Sequence, residues 1–212
     1  MSELPARVTI DPDTLQNSYG LLGALVTPRP IAWVSTRSPD GVDNLAPHSF
    51  FQVVSVAPPI ILISTMGEKD TVRNARASGE FVVCGTPVPL IEQVNITAVE
   101  FDPNVSEFDA AGLTREPSQK VAPFRVAEAP YAMECKVHDI QEIGNGVVLL
   151  GEVVLFAINE NLMNGKHVKL EELDLAARLT GAEWAKPGEI VIEPRYGVEE
   201  YHQRYPMGYP AS

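Results

Sequence analysis

The sequence predicts a mainly β fold, a barrel of antiparallel strands broken by short helical excursions, and three observations carry that prediction. Predicted strands follow one another closely at Ile31 to Thr36, Asn44 to Val56 and Ile60 to Thr65, which favours antiparallel neighbours over long crossovers. Two long β-prone runs, Ala132 to Ile143 and Val147 to Ile158, flank Gly144-Asn145-Gly146, a hairpin composition because glycine and asparagine tolerate positive φ. The chain lacks both the alternation of strands with helices and the Gly-x-Gly-x-x-Gly fingerprint of a Rossmann fold, which excludes that architecture.

Each element has a local reason. Ser38-Pro39-Asp40-Gly41 supplies the reversal after the first strand, and Asn44 to Val56 is the return strand. Pro58-Pro59 is expected to break that pairing before Ile60 to Thr65, a continuous apolar run suited to a strand buried on both faces. Asp70 or Thr71 is the expected cap of a short helix running to Ser78, with Gly79 as its stop. Phe81 to Cys84 returns to strand, and Leu90 to Val99 and Ser106 to Ala111 are expected as short helices. Leucines and alanines at 170, 173, 176, 177 and 179 form a stripe that predicts a helix over Leu170 to Leu179, packed on the sheet. From Arg195 the tail is rich in tyrosine, proline and charge; an arm docked on a partner subunit and a loosely ordered end are both open.

Composition narrows the function classes. A chain of 212 residues with 45% hydrophobic and 21% charged residues is long enough to bury a core as one domain and unlike a disordered chain. The formal charge of -12 repels nucleic acid and anionic membranes, so neither is expected as a partner. Cys84 and Cys135 are the only cysteines, too few for a disulfide framework or a zinc site, and buried thiols are expected. The segment MSELPARVTIDPDTL lacks the basic start and apolar core of a secretory signal, and no apolar stretch approaches membrane-spanning length, so a cytoplasmic protein is expected. Histidines at 48, 138, 167 and 202 show no ligand spacing, and no metal site is assigned.

The densest concentration of candidate binding residues lies between Thr27 and Thr71. A phosphate-bearing ring cofactor such as a flavin needs cations or free amides, polar groups for the ring edge and an apolar wall. Arg29, held between two prolines, and Lys69-Asp70-Thr71, at an expected helix start, are candidates for the phosphate. Solvated surface charges are the alternative reading of Arg29 and Lys69. Ser35, Thr36 and Ser64 lie near strand ends and offer hydroxyl donors. Asn44, Ala46, Pro47, His48 and Ser49 make a small, polar segment in which Asn44 or Ser49 suits the pyrimidine edge of a flavin. Trp33 is either a wall for the ring or a core tryptophan. No side chain is assigned a catalytic role.

The ordered set Arg29-Pro-Ile-Ala-Trp-Val-Ser-Thr36, Asn44-Leu-Ala-Pro47, Pro58-Pro59, Lys69-Asp70-Thr71, Asn74, Gly79-Glu-Phe-Val-Val83, Ser106-Glu-Phe108, Ala111-Gly-Leu-Thr114, Glu134-Cys135 and Gly151-Glu-Val-Val154 resembles the flavin reductase-like domain family. The resemblance covers about residues 20 to 185 and leaves a C-terminal arm over about 195 to 212. It implies a split β-barrel that binds FMN, with FAD as an alternative, and forms a homodimer with flavin near the subunit interface. It further implies that Arg29, Trp33, Ser35, Thr36, Asn44, Ala46, Ser49, Ser64, Lys69 and Thr71 line the cofactor site. An NAD(P)H-dependent flavin reductase serving an oxygenase partner and a flavoredoxin-like electron carrier with its own redox partner are the two activities that follow. Tyr196, Tyr201, His202, Tyr205 and Tyr209 of the tail are candidates to cover the flavin of the neighbouring subunit, with ordinary packing as the alternative.

Overall fold

Three short β-prone runs in quick succession produce tightly paired antiparallel strands in the computed structural model, which describes residues 5 to 207. In chain order the strands are β1 (Arg29–Pro30), β2 (Ala32–Arg37), β3 (Asp43–His48), β4 (Phe51–Val56), β5 (Pro59–Met66), β6 (Glu80–Cys84), β7 (Arg115–Glu116) and β8 (Arg125–Val126). They continue with β9 (Tyr131–Ile143), β10 (Gly146–Ile158), β11 (Met163–Asn164), β12 (His167–Val168), β13 (Ala177–Arg178) and β14 (Trp184–Ala185). The helices are α1 (Tyr19–Leu25), α2 (Asp70–Ser78), α3 (Ile91–Ile96), α4 (Glu107–Ala110) and α5 (Val198–Arg204).

The main sheet has seven strands in the order β3-β2-β6-β9-β10-β5-β4, all antiparallel. Its two outer strands, β3 and β4, are consecutive in sequence. Only Ser49 and Phe50 separate them, so the sheet curls until its edges meet as a barrel, and the Ser64 amide, donating to the Phe50 carbonyl at 2.8 Å, extends the β4–β5 ladder into that link. The expected single strand over Asn44 to Val56 is therefore two strands on opposite edges. Pairing to β2 ends at His48 and pairing to β5 begins at Phe51, a division that residue type does not signal. Pro58-Pro59 does not end the pairing either; it turns the β4–β5 hairpin, in which Val56 stands opposite Pro59.

The β9–β10 hairpin follows its sequence signal, with Gly144 at φ 60° in a two-residue turn between Ile143 and Gly146. Inside the barrel, Ala32, Val34, Ile61, Ile63, Phe81, Val83, Cys135 and Leu149 pack as one cluster. On the other face of β2 and β6, Trp33, Val82 and Cys84 pack with Leu45 beneath Val94 of α3 and Phe108 of α4. This double burial explains why Ala32, Trp33 and Val34 of β2 are apolar at consecutive positions. Gly151 sits where the β9–β10 register shifts, and a Cβ there would lie 2.1 Å from Phe81 Cζ, so the core aromatic requires glycine.

Two further expectations change. The stripe over Leu170 to Leu179 does not form a helix: a turn of 3-10 helix spans Leu170–Glu172, Asp174 takes φ 41°, and Ala177–Arg178 pairs with β1. Pairing to a distant strand outweighs a periodicity that only α-helix would have used. The helix expected to reach Val99 stops at Ile96. Gly79 ends α2 at φ 73°, as its sequence requires. The tail carries α5, in which Tyr201 packs against His202 and Tyr205 and Arg204 bonds the Tyr196 hydroxyl; Tyr209 lies outside the described residues. No helix among the described residues is long and apolar enough to cross a membrane.

Candidate functional site

The small residues of β3 leave room above the strand, and α2 and the segment after α3 wall that room in. The result is a groove of about 410 Å³ with Ala46, Pro47 and His48 on its floor, Lys69, Asp70 and Thr71 on one wall and Thr97 to Phe101 on the other. Asn44 and Glu107 close one end and also line a second cleft of about 450 Å³ that continues past Asn74 and Phe101. At the opposite end Pro47 and Ala98 lead into a hollow of about 250 Å³ that contains Ser49.

The wall formed by α2 is suited to an anion. Lys69, not Asp70 or Thr71, occupies the cap position, and no side chain accepts from the first amides of the helix. Asp70 instead pairs with Arg73, and the Thr71 hydroxyl meets His48 Nε2 at 2.9 Å. The open amides and the helix dipole favour negative charge at that point. Lys69 Nζ reaches across the groove to Glu100 Oε1 at 2.7 Å, and this holds the Glu100 carboxyl below its usual range. An exposed pair of this kind is screened by solvent and weak, so an anion in the groove can displace Glu100 from Lys69.

His48 is kept neutral. Burial, with the nearby Lys69 charge second, lowers its pKa to about 4, so at neutral pH the imidazole brings hydrogen-bonding groups and no charge. Below it runs a fixed polar chain: Asn74 Nδ2 donates to Thr36 Oγ1 at 3.2 Å, Thr36 Oγ1 donates to Asn44 Oδ1 at 3.3 Å, and Asn44 Nδ2 donates to Glu107 Oε1 at 3.0 Å. Glu107 Oε2 accepts from the Leu45 amide at 2.9 Å, and burial pushes the carboxyl pKa up. These bonds fix the amide plane of Asn44 at the end of the groove.

The sequence-derived candidates thus divide. Asn44, Ala46, Pro47, His48, Lys69, Asp70 and Thr71 line one groove. Thr36 lies one hydrogen bond behind it, and Ser49 lies in the adjoining hollow. Trp33 does not wall the groove; it is fully buried, and its indole donates to Thr97 Oγ1 at 2.8 Å, placing a residue that does line the groove. Arg29 is neither a surface charge nor a groove residue: it is buried and donates to the carbonyls of Gly23, Val26 and Leu179 and to Ser49 Oγ. Ser35 is fully buried with no partner for its hydroxyl among the described residues, and Ser64 on β5 lines none of these cavities. Thr97, Glu100 and Phe101 enter the site unannounced, because a loop that folds back over β3 leaves no mark in local sequence; Glu107, on α4, is legible in the sequence only as part of the Ser106-Glu-Phe108 match and not as a site residue.

A flavin reductase-like domain model matches residues 24–170 of the chain. The chain belongs to the flavin reductase-like family. Among solved structures, nitrilotriacetate monooxygenase component B from Bacillus cereus is 34% identical, with a TM-score of 0.87 over 90% of this chain and 100% of that one. The 2-nitrobenzoate 2-nitroreductase NbaA of Pseudomonas fluorescens is 28% identical, with a TM-score of 0.84 over 90% and 98% of the two chains. A flavin reductase with a split barrel domain from Shewanella frigidimarina is 20% identical with a TM-score of 0.79 over 87% and 96%, a likeness of fold. The split barrel expected for this family is the observed architecture. The family and these neighbours make the chain a flavin reductase-like oxidoreductase.

Proposed function

We propose that this protein binds FMN in the groove over β3 and passes hydride to it from NAD(P)H, supplying reduced flavin to an oxygenase partner. The observation that carries this reading is the meeting of an uncapped helix start, a lysine held only by an exposed ion pair and a floor of small residues in one groove of a flavin reductase-like fold. The residues suit the cofactor. Lys69 and the first amides of α2 hold the phosphate, Thr71 and neutral His48 offer hydrogen bonds, and Ala46 and Pro47 admit a flat ring close to the backbone. Asn44, fixed by Glu107 and Thr36, presents a polar edge. Bound there, the flavin supplies the two-electron acceptor, and the protein contributes binding and orientation without a catalytic acid.

A homodimer fits this reading. Val53, Val54 and Val56 of β4, Met66 of β5 and Val154 and Phe156 of β10 leave apolar side chains exposed on neighbouring strands, a surface that a second copy would cover. The cytoplasm suits the two buried, unpaired thiols of Cys84 and Cys135.

The test is flavin titration of the purified protein, with gel filtration to remove free flavin, followed by NAD(P)H oxidation with and without added FMN. Retained FMN near one per chain and FMN-dependent NAD(P)H oxidation are expected. Tight flavin without NAD(P)H turnover would replace the reductase with a flavoredoxin-like electron carrier, and no binding of FMN or FAD at micromolar levels would remove the cofactor assignment.

A further inference from the structure

We infer that the hollow beside Ser49 is a binding site for a single-ring aromatic carboxylate. β1 and β13 pair so that Arg29 stands directly opposite Arg178. Directly opposed residues of an antiparallel pair project on the same face, where like charges repel. Among the described residues neither guanidinium has a carboxylate within ion-pair distance. Of the two, Arg178 lines the cavity, while Arg29 lies buried behind Ser49 and bonded to backbone carbonyls; among the described residues Arg178 is thus a cation on the cavity wall without a carboxylate partner, an arrangement that an anion stabilises.

The geometry gives each cation a separate task. Arg29 is buried and balanced only by carbonyl dipoles, so it leaves positive potential behind Ser49. Ser49 Oγ accepts from Arg29 Nε at 3.3 Å, which leaves the hydroxyl proton to be donated into the hollow. Arg178 forms the facing wall. Its guanidinium carbon lies 4.7 Å from the centroid of the Trp184 ring, and its one hydrogen bond among the described residues goes to the Gly181 carbonyl. Glu92 shares a neighbouring surface hollow with Arg178 but forms no ion pair with it.

Tyr19 and Trp184 add two aromatic faces and Asn95 an amide to the same cavity. A flat ring packs on such faces while its carboxylate meets the planar fork of Arg178 and the hydroxyl of Ser49. The cavity is about 250 Å³. Pockets for drug-sized ligands run from roughly 300 to 1,000 Å³, so this one takes a single ring and not a dinucleotide. It opens over Pro47 and Ala98 into the groove above β3. That the bound ring lies beside a flavin rests on the reading proposed above; the binding itself does not.

The experiment is calorimetric titration of flavin-free, full-length protein with benzoate, benzamide and acetate, with Trp184 emission followed in parallel. Saturable benzoate binding is expected, at least tenfold tighter than benzamide, which lacks the charge, and acetate, which lacks the ring. Arg178→Met is expected to weaken benzoate at least tenfold while the circular dichroism spectrum and Tm stay those of the parent; Arg178→Gln serves in its place if the methionine variant does not fold. Equal affinity for benzoate and benzamide, equal affinity for benzoate and acetate, or benzoate binding indifferent to Arg178 would each overturn the inference. FMN retention is measured on the same preparations. Loss of the flavin reading with benzoate binding intact, or the reverse, separates the two proposals.

Discussion

Replacing His48 by glutamine should remove a pH dependence of stability that the structure assigns to one imidazole. A histidine in an unfolded chain titrates near 6.5, and burial, with Lys69 second, lowers His48 to about 4 in the folded chain. The fold therefore favours the neutral ring. Its contribution is fully present above about pH 6.5 and is lost as pH falls toward 4, because the unfolded chain binds the proton first. With one pKa unit worth about 1.4 kcal/mol, the parent should lose about 2–3 kcal/mol between pH 7.5 and pH 4.5 relative to His48→Gln. Glutamine can still bond the Thr71 hydroxyl, and Glu107, whose raised pKa acts in the opposite sense, is common to both chains. Urea unfolding of parent and variant at the two pH values gives the difference directly, and the His48 ring-proton titration gives the midpoint. A His48 midpoint near 6.5, or unfolding curves that shift in parallel, would show that the groove floor is wetter than the structure has it.

Lys69→Gln should weaken FMN roughly ten- to a hundredfold and leave riboflavin unchanged, since charge-assisted contact with a phosphate is worth roughly 1.5–3 kcal/mol; equal losses for both ligands would place the phosphate elsewhere. Glu107→Gln must turn an NH2 toward the Leu45 amide or the Asn44 amide and should cost about 1–3 kcal/mol in urea unfolding, with a fall in FMN affinity. Gly151→Ala drives a methyl into Phe81 and should lower stability by about 1–3 kcal/mol, a loss that Gly151→Ala with Phe81→Leu should partly restore. Val53→Asp on the exposed apolar strip should shift the molecular mass measured by light scattering from dimer to monomer; an unchanged dimer would put the subunit contact on another face.

Turn chemistry and strand-length apolar runs were legible residue by residue. Gly144 and Gly79 occur where only a positive φ closes the turn or ends the helix, β2 and β6 fall on short β-prone segments, and β9 and β10 fall where two long β-prone runs flank a glycine-asparagine turn. Local pattern also marked the segment from Asn44 to His48 and the start of α2, because small residues and a lysine before a helix are visible without neighbours.

Sequence by itself therefore determined the antiparallel β class, the long hairpin, the floor of the groove and the one wall that α2 supplies. Only the tertiary structure decided that β3 and β4 are opposite edges of one closed sheet, that Ala177–Arg178 is a strand against Arg29, and that Trp33 and Arg29 point away from the groove their neighbours line. The physical reason is common to all three. A residue's partner across a barrel is set by closure of the whole sheet and by the burial it brings, and that free energy belongs to contacts between distant segments and not to any local run of side chains.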